Sequence, residues 1–274
     1  MRKILKEEIH RSMKNSGMIM ALLVGGVIAI MHIVHVVYPL YQANFAMEYD
    51  KFPILYPAVV ADGWIAGDSV TLEAFLYFLI LPLLAVLPFG VSYFSDQQDG
   101  VLKGIYMRIS RKEYLVAKYI ATFLSGGIAV TIPLITNLLC SLVLLPNLPA
   151  SVVLPHNGMG AERLFYECYY ENPLIYIFFF LCLDFVLGGM YACCALMCSY
   201  LSDYKIVISI CPFFIQLSVH IICTILIKLD YSPVFFAMAG YGIRNITIVL
   251  LYLMAGFGVS FVVFFKKGVK QDVF

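Results

Sequence analysis

Long apolar runs constrain this chain more than any other feature of its sequence. Crossing a hydrocarbon core of about 30 Å takes about 20 helical residues. Runs of that length lie near 17–38, 72–94, 114–145, 173–201, 205–228 and 245–265. Backbone in lipid must satisfy its own hydrogen bonds, and these runs lack the short alternating pattern of barrel strands. We therefore expect an all-α membrane protein, a six-transmembrane-helix bundle forming a single domain over residues 1–274.

Composition excludes other classes of protein. Hydrophobic residues make up 62% of the chain and charged residues only 13%, which is unlike an ordinary soluble domain. A net charge of +1 provides no basic field for nucleic acid, so we expect no nucleic-acid partner.

The positive residues predict the orientation of the bundle. Lys and Arg concentrate in the first 14 residues, in the segment 95–118 and around 266–270. Positive connections stay on the cytoplasmic side. Both termini of this multi-pass plasma-membrane protein are therefore predicted to be cytoplasmic. The external connections are then Tyr41 to Thr71, Pro146 to Asn172 and roughly 229–244.

Two of these external connections have distinctive compositions. Tyr41 to Thr71 is acidic and aromatic, and could form a small lid, a partner surface or a solvated loop. The stretch 229–244 is more apolar than a free loop, which favours a short re-entrant or interfacial element before the last span.

The N-terminal segment 1–16 places apolar residues among charges at roughly helical spacing. These residues are Ile4, Leu5, Ile9 and Met13. The pattern is typical of an amphipathic helix in the headgroup plane, and a solvated charged tail is the alternative.

The segment 95–118 has its own helical pattern. One apolar stripe at i, i+3, i+4 and i+7 consists of Leu102, Ile105, Tyr106 and Ile109. Lys103 and Arg108 lie off this stripe, so the pattern predicts a short amphipathic helix. Ser110 and Glu113 then form a capping box that begins the next helix.

Small residues predict packing faces on two spans. Ala21, Gly25 and Ala29 recur every four residues along the first span, and His32 and His35 are expected to continue that face. Close approach of small residues drives helix association in lipid.

The fourth span places its carboxylate on a face of small residues. That face consists of Asp184, Gly188, Ala192, Ala195 and Ser199. Asp184 is therefore expected to point into the bundle. A charge within a span indicates function by default, here proton-linked or substrate-contacting. The alternative is a carboxyl hydrogen-bonded to a neighbouring span for packing.

Other polar residues of the spans give weaker signals. Gln216, His220 and Thr224 form a mildly polar face that either lines a pathway or joins helices. His32 and His35 have the spacing of a shared metal or proton site, but no obvious carboxylate accompanies them. Cys193, Cys194 and Cys198 lack a second ligand cluster, so we expect core packing and no metal site.

No nucleotide-binding or hydrolase motif appears in the sequence. The phosphate loop G-x-x-x-x-G-K-[ST], H-E-x-x-H and G-x-S-x-G are all absent. We therefore expect no cofactor on this chain, and any energy source must belong to another chain.

The connection after the second run resembles a known family. Asp99-Gly100-Val101-Leu102, then Arg108-Ile109-Ser110-Arg111-Lys112-Glu113-Tyr114 and Lys118, resemble the permease subunits of type 2 ABC exporters. In that family an acidic residue and Gly follow the second span, a coupling helix contacts the ATPase, and a Ser/Thr-Arg-x-Glu pattern with a later Lys opens the third span. The Pro that often precedes the Ser-Arg pair is missing here.

The resemblance implies a function and partners. The chain would be the membrane-spanning permease subunit of an ATP-driven exporter in a bacterial plasma membrane. It would pair with an identical or sister permease and with separate ATP-binding cassette subunits that hold ATP and Mg²⁺. The implied coupling residues are Leu102, Lys103, Ile105, Tyr106, Arg108, Ile109, Arg111 and Glu113.

Two other functions stay open at this point. One is a membrane-embedded enzyme that uses Asp184, His220 and His32. The other is an ATP-independent channel or an immunity protein.

Overall fold

The fold was analysed in a computed structural model that describes residues 2–47, 56–68, 71–149, 164–241 and 245–270. Its helices are α1 (Arg2–Met13), α2 (Ser16–Ala46), α3 (Val60–Gly63), α4 (Leu72–Val86), α5 (Ser92–Gln98), α6 (Val101–Tyr106), α7 (Arg111–Leu144), α8 (Tyr166–Glu171), α9 (Pro173–Cys198), α10 (Lys205–Ile225), α11 (Pro233–Ala237) and α12 (Ile246–Lys270). No strand occurs within these ranges, so the all-α prediction is confirmed for them.

Five helices are long and apolar enough to cross a membrane: α2, α7, α9, α10 and α12. The apolar run predicted at 72–94 is divided. Its helix α4 has 15 residues and ends at Val86, and a turn containing Pro88 separates it from α5. Pro88 has no backbone N–H with which to continue the helix.

Helices α7 and α9 cross at closely packed glycines. A Cβ on Gly126 would lie 2.5 Å from the Ala192 Cβ and 2.9 Å from the Gly188 carbonyl oxygen. Only glycine permits this approach of the two backbones. The predicted inward face of α9 is confirmed, because Asp184, Gly188, Ala192, Ala195 and Ser199 are all buried.

The predicted face of the first span is confirmed only in part. Its small residues and His32 are buried, but the His35 side chain is 56% exposed. The prediction for His35 is wrong because residues 33–37 form a π-helical turn. The wider turn brings Val37, instead of His35, to the buried side.

Part of the first predicted external connection is inserted into the bundle. Residues 58–68 are all buried, so a solvated loop is wrong for this stretch. We call 56–68 the inserted segment; residues 48–55 and 69–70 of the same connection lie outside the described residues. The inserted segment contains an apolar turn, Trp64, Ile65 and Ala66, which has no solvent exposure.

The stretch before the last helix packs against the inserted segment. A 3₁₀ turn, Leu229–Tyr231, precedes α11, and residues 236–240 are buried. The Gly240 N–H donates to the Ala66 carbonyl over 2.9 Å. This contact places the described part of 229–244 on the bundle, as its apolar composition predicts.

Candidate functional site: a buried ionic cluster and the surface around it

Three helices meet at a largely buried group of charges at one end of the bundle, with Arg11 46% exposed at its edge. Glu8 and Arg11 come from α1, Asp96 from α5, and Tyr114 and Lys118 from α7; we call these five residues the ionic cluster. The Lys118 side chain is 0% exposed, and its acidic partners Glu8 and Asp96 are 6% and 5% exposed.

Every charge of the ionic cluster has a partner of opposite sign. Lys118 Nζ lies 2.6 Å from Asp96 Oδ2 and 3.0 Å from Glu8 Oε2. Arg11 donates to Asp96 Oδ1 over 2.7 Å and to Glu8 Oε1 over 2.9 Å. Tyr114 adds a hydrogen bond of 2.8 Å from its hydroxyl to Asp96. Two cations and two carboxylates leave the ionic cluster neutral, which is the condition under which buried ions are tolerated.

The ionic cluster holds Asp96 in its charged form. Burial alone would raise the pKa of this carboxyl, but the charge of Lys118 and the hydrogen bonds from Arg11, Lys118 and Tyr114 together lower it. The hydrogen bond to Asp96 raises the pKa of Arg11. The Arg11–Asp96 ion pair therefore persists through neutral pH.

Helix α1 is docked on the bundle through this contact. The helix predicted for the N-terminal segment is confirmed over residues 2–13, and a solvated tail is wrong for them. Its buried positions are Glu8 and Ser12, while the predicted apolar residues are half-buried. Packing against α7 therefore uses a polar stripe instead of a purely apolar one.

The segment predicted to couple to a partner folds as the short helix α6. Leu102 is fully buried in a cluster with Tyr93, Tyr114 and Leu196, and Ile105 packs at its edge. The apolar stripe thus faces the chain's own bundle, and Leu102 is not accessible to a partner in this conformation. The coupling role of the segment stays a prediction.

The end of α6 and the start of α7 follow the sequence pattern. The helix ends at Tyr106, so Ile109 lies in the turn beyond it, half-buried. Ser110 caps α7 as predicted, because its hydroxyl accepts from the Glu113 N–H over 3.4 Å. The Arg111 guanidinium lies 5.3 Å from the Tyr106 ring centroid.

The solvent-facing side of this end carries a groove. A space of about 790 Å³ separates α1 from α6 and the turn after it. The groove lining includes Lys3, Glu7, Val101, Gly104, Arg108 and Glu113. Lys103 and Met107 are also exposed at this end. The surface is mixed in polarity, and the ionic cluster joins α1, on one side of it, to α7.

Gln216 joins two helices. It is buried, and its Nε2 donates to the carbonyls of Phe78 and Leu79 over 2.9 and 3.0 Å. Pro82 lacks the N–H that would normally bond the Phe78 carbonyl four residues earlier. Gln216 therefore satisfies an acceptor that the proline of α4 leaves free.

His220 fastens the stretch before the last helix. Its Nδ1 lies 2.8 Å from the Ser232 hydroxyl oxygen, and its ring contacts Phe235 with centroids 5.6 Å apart. Ser232 also caps α11. Thr224, from the same predicted face, is exposed and bonds to the His220 carbonyl.

The inserted segment is attached at a buried polar site. Asn137 Oδ1 accepts from the Ile65 N–H over 2.9 Å, and Asn137 Nδ2 donates to the Ala29 carbonyl over 3.1 Å. The same Nδ2 lies 3.2 Å from His32 Nδ1, and His32 Nε2 lies 3.3 Å from Asp68. One amide therefore connects α2, α7 and the inserted segment.

Asp184 is fully buried, as its sequence position predicts. Within the described residues, neither of its carboxyl oxygens has a hydrogen-bond partner. The packing alternative, a carboxyl hydrogen-bonded to a neighbouring span, is therefore not found there.

The residues of the enzyme alternative lie in separate surroundings. His32 bonds to Asn137 and Asp68, His220 bonds to Ser232, and Asp184 bonds to neither histidine. Among the described residues no three His, Cys, Asp or Glu side chains are grouped to hold a metal. Cys193 and Cys194 are buried and approach backbone carbonyls.

The ionic cluster does not follow from the sequence patterns. They assign Arg11 to the orientation of the bundle, assign Lys118 to that orientation and to the resemblance motif, and assign no role to Glu8 and Asp96. A signal was present, because Lys118 lies seven residues inside α7 and a cation that deep requires an acidic partner. Asp96, Asp99 and Glu113 were the acidic residues nearest to Lys118 in the sequence.

In sequence comparisons, no protein-family model and no curated protein matches the chain.

Proposed function

We propose that the chain is the membrane-spanning permease subunit of an ATP-driven exporter, with ATP and Mg²⁺ held by a separate ATPase. In this proposal the end that carries α1, α6 and the ionic cluster faces the cytoplasm, because Lys and Arg concentrate there. Helix α4 is the short second span, which gives six spans with the five longer helices. The stretch 229–241 is the re-entrant element, and a second permease completes the pathway.

The ionic cluster is the observation that supports this function best. A permease driven from outside needs a rigid connection between its cytoplasmic surface and its spans. Asp96 and Lys118 connect α5 directly to α7, and Glu8 adds α1 to the same unit. Helix α7 has 34 residues and is about 50 Å long, so a displacement of α5 and α6 would tilt a span that crosses the whole membrane.

The surface that meets the ATPase is the exposed side of α6 and the groove beside α1. Lys103, Met107 and Arg108 are exposed there, whereas Leu102 supports the helix from below. Met107 is the most suitable apolar contact, since 75% of it is exposed. ATP binding would shift the bundle only if the closed ATPase prefers one arrangement of this surface.

Co-purification in mild detergent tests the proposal. The tagged chain should retain an ATP-hydrolysing subunit, and Met107→Asp should reduce the retained ATPase activity at least tenfold without changing the amount of folded permease. Leu201→Asp is the matched control, because Leu201 is 63% exposed in the connection between α9 and α10. Retention of the same ATPase activity by both variants would contradict the docking surface. Turnover of a substrate by the purified chain alone would contradict the function.

A further inference from the structure

Asp184 is the one charged residue in the sequence of α9, and it lies beside the glycine crossing with α7. Its side chain is fully buried. Neither carboxyl oxygen accepts a hydrogen bond within the described residues. The proposed transport function makes no use of this group.

Within the described residues, no cationic side chain forms a hydrogen bond with Asp184. Between Lys118 and Leu144, α7 contains no charged residue, and in α12 the lysines begin only at Lys266. Lys118 itself is committed to Asp96 and Glu8. An unpaired carboxylate in a low-dielectric interior costs far more free energy than a neutral carboxylic acid.

Several titratable side chains on neighbouring helices have hydrogen-bond or ion-pair partners other than Asp184. Tyr77 of α4 interacts electrostatically with Asp184, but its hydroxyl donates to the Val130 carbonyl over 2.5 Å. On α12, Tyr252 is 2.9 Å from Tyr191 of α9. On α10, His220 lies beside the Ser232 hydroxyl. Glu73 of α4 and His32 of α2 have partners of their own, His35 and Asp68 respectively.

We propose that Asp184 is a proton-binding site, occupied when α7 and α9 are packed at their glycine crossing. The ligand is a single proton, bound to one carboxyl oxygen. Loosening of the crossing exposes the group, and the proton then passes to the aqueous phase and leaves a carboxylate behind. Low pH therefore favours the tightly packed arrangement, and high pH favours the loosened one.

The pH dependence of unfolding tests this proposal with the full chain in detergent. The unfolding equilibrium constant of the wild-type protein, divided by that of Asp184→Asn at the same pH, should rise by up to tenfold per pH unit between pH 5 and 8. Asp203→Asn is the control, because Asp203 is exposed between α9 and α10 and should leave the wild-type slope unchanged. The slope is the readout, so a uniformly lower stability of Asp184→Asn does not affect the test.

Infrared spectroscopy gives an independent measurement that does not require a stable variant. At neutral pH the wild-type protein should show a carboxylic-acid C=O band that disappears reversibly at high pH. The proposal would be overturned if the unfolding equilibrium constants of wild type and Asp184→Asn depended equally on pH. It would also be overturned if the infrared spectrum showed no protonated carboxyl at neutral pH.

Discussion

Lys118 of α7 donates a hydrogen bond of 2.6 Å to Asp96 of α5, and neither side chain reaches the surface. The two residues lie on either side of the short helix α6. Their contact therefore closes the connection from α4 to α7 into a compact unit, which Glu8 and Arg11 extend to α1.

Lys118→Met should destabilise the protein strongly. The substitution removes the buried cation of Asp96 and Glu8 and leaves them only Arg11, which is 46% exposed. Breaking a buried ion pair from one side costs about 3–5 kcal/mol. Thermal unfolding of the purified protein measures this loss. Lys112→Met, at an exposed position of the same helix, should unfold at nearly the wild-type temperature. Equal melting of wild type and Lys118→Met would show that the ion pairs contribute little.

The stabilisation that ionised Asp96 gives the folded protein should be lost only at acid pH. The pKa of Asp96 in the folded protein lies below its pKa of about 3.9 in the unfolded chain. The stabilisation is therefore complete at pH values above the unfolded-state pKa, and it is lost as the pH falls through the folded-state pKa. The difference in melting temperature between wild type and Asp96→Asn should therefore be constant from about pH 5 to 8 and shrink below about pH 4. A difference that already shrinks between pH 8 and 6 would contradict this explanation.

Gln216→Leu should destabilise the protein through the Phe78 carbonyl. Leaving this buried acceptor unpaired costs about 1–3 kcal/mol. Pro82→Ala restores a backbone N–H four residues after Phe78, so the double variant should recover part of the loss. Unfolding of the two single variants and the double variant measures the coupling. Purely additive effects would count against the link between Gln216 and Pro82.

Asn137→Ala should loosen the inserted segment. Its amide contacts Ile65, Ala29 and His32, and the substitution removes all three hydrogen bonds. Hydrogen exchange at the Ile65 N–H should accelerate at least tenfold. Thr136→Ala, at the exposed neighbouring position, serves as the control and should leave exchange at Ile65 unchanged. Unaltered exchange in Asn137→Ala would mean that packing alone holds the segment.

Sequence patterns predicted the five long helices, the packing face of α9 and part of the packing face of α2. The inward position of Asp184 follows from spacing alone, because small residues recur at i+4 and i+8 along α9. His35 shows the limit of such reasoning. The π-helical turn at Ile33–Val37 adds one residue to a turn of α2 and so shifts the buried face of the helix. No residue type in this stretch indicates the π-helical turn.

Contacts between distant segments were the part that sequence could not supply. The sequence shows the apolar stripe of α6. The helical spacing of its residues does not determine whether Leu102 contacts a partner or the core of its own chain. Lys118 and Glu8 are 110 residues apart, and their pairing depends on how α1 folds back onto α7. Burial of the inserted segment likewise depends on space between helices, which an acidic loop sequence does not reveal.

Photo-crosslinking from position 107 tests the central claim most directly. A photoreactive amino acid in place of Met107, expressed in the full chain in native membranes, should form a covalent adduct with a subunit that binds ATP. The same probe at Leu201 should not give that adduct. Crosslinking only to components outside the cell would contradict the claim that an ATPase acts on this surface. Crosslinking only to lipid, in a preparation that retains an ATPase, would contradict it as well.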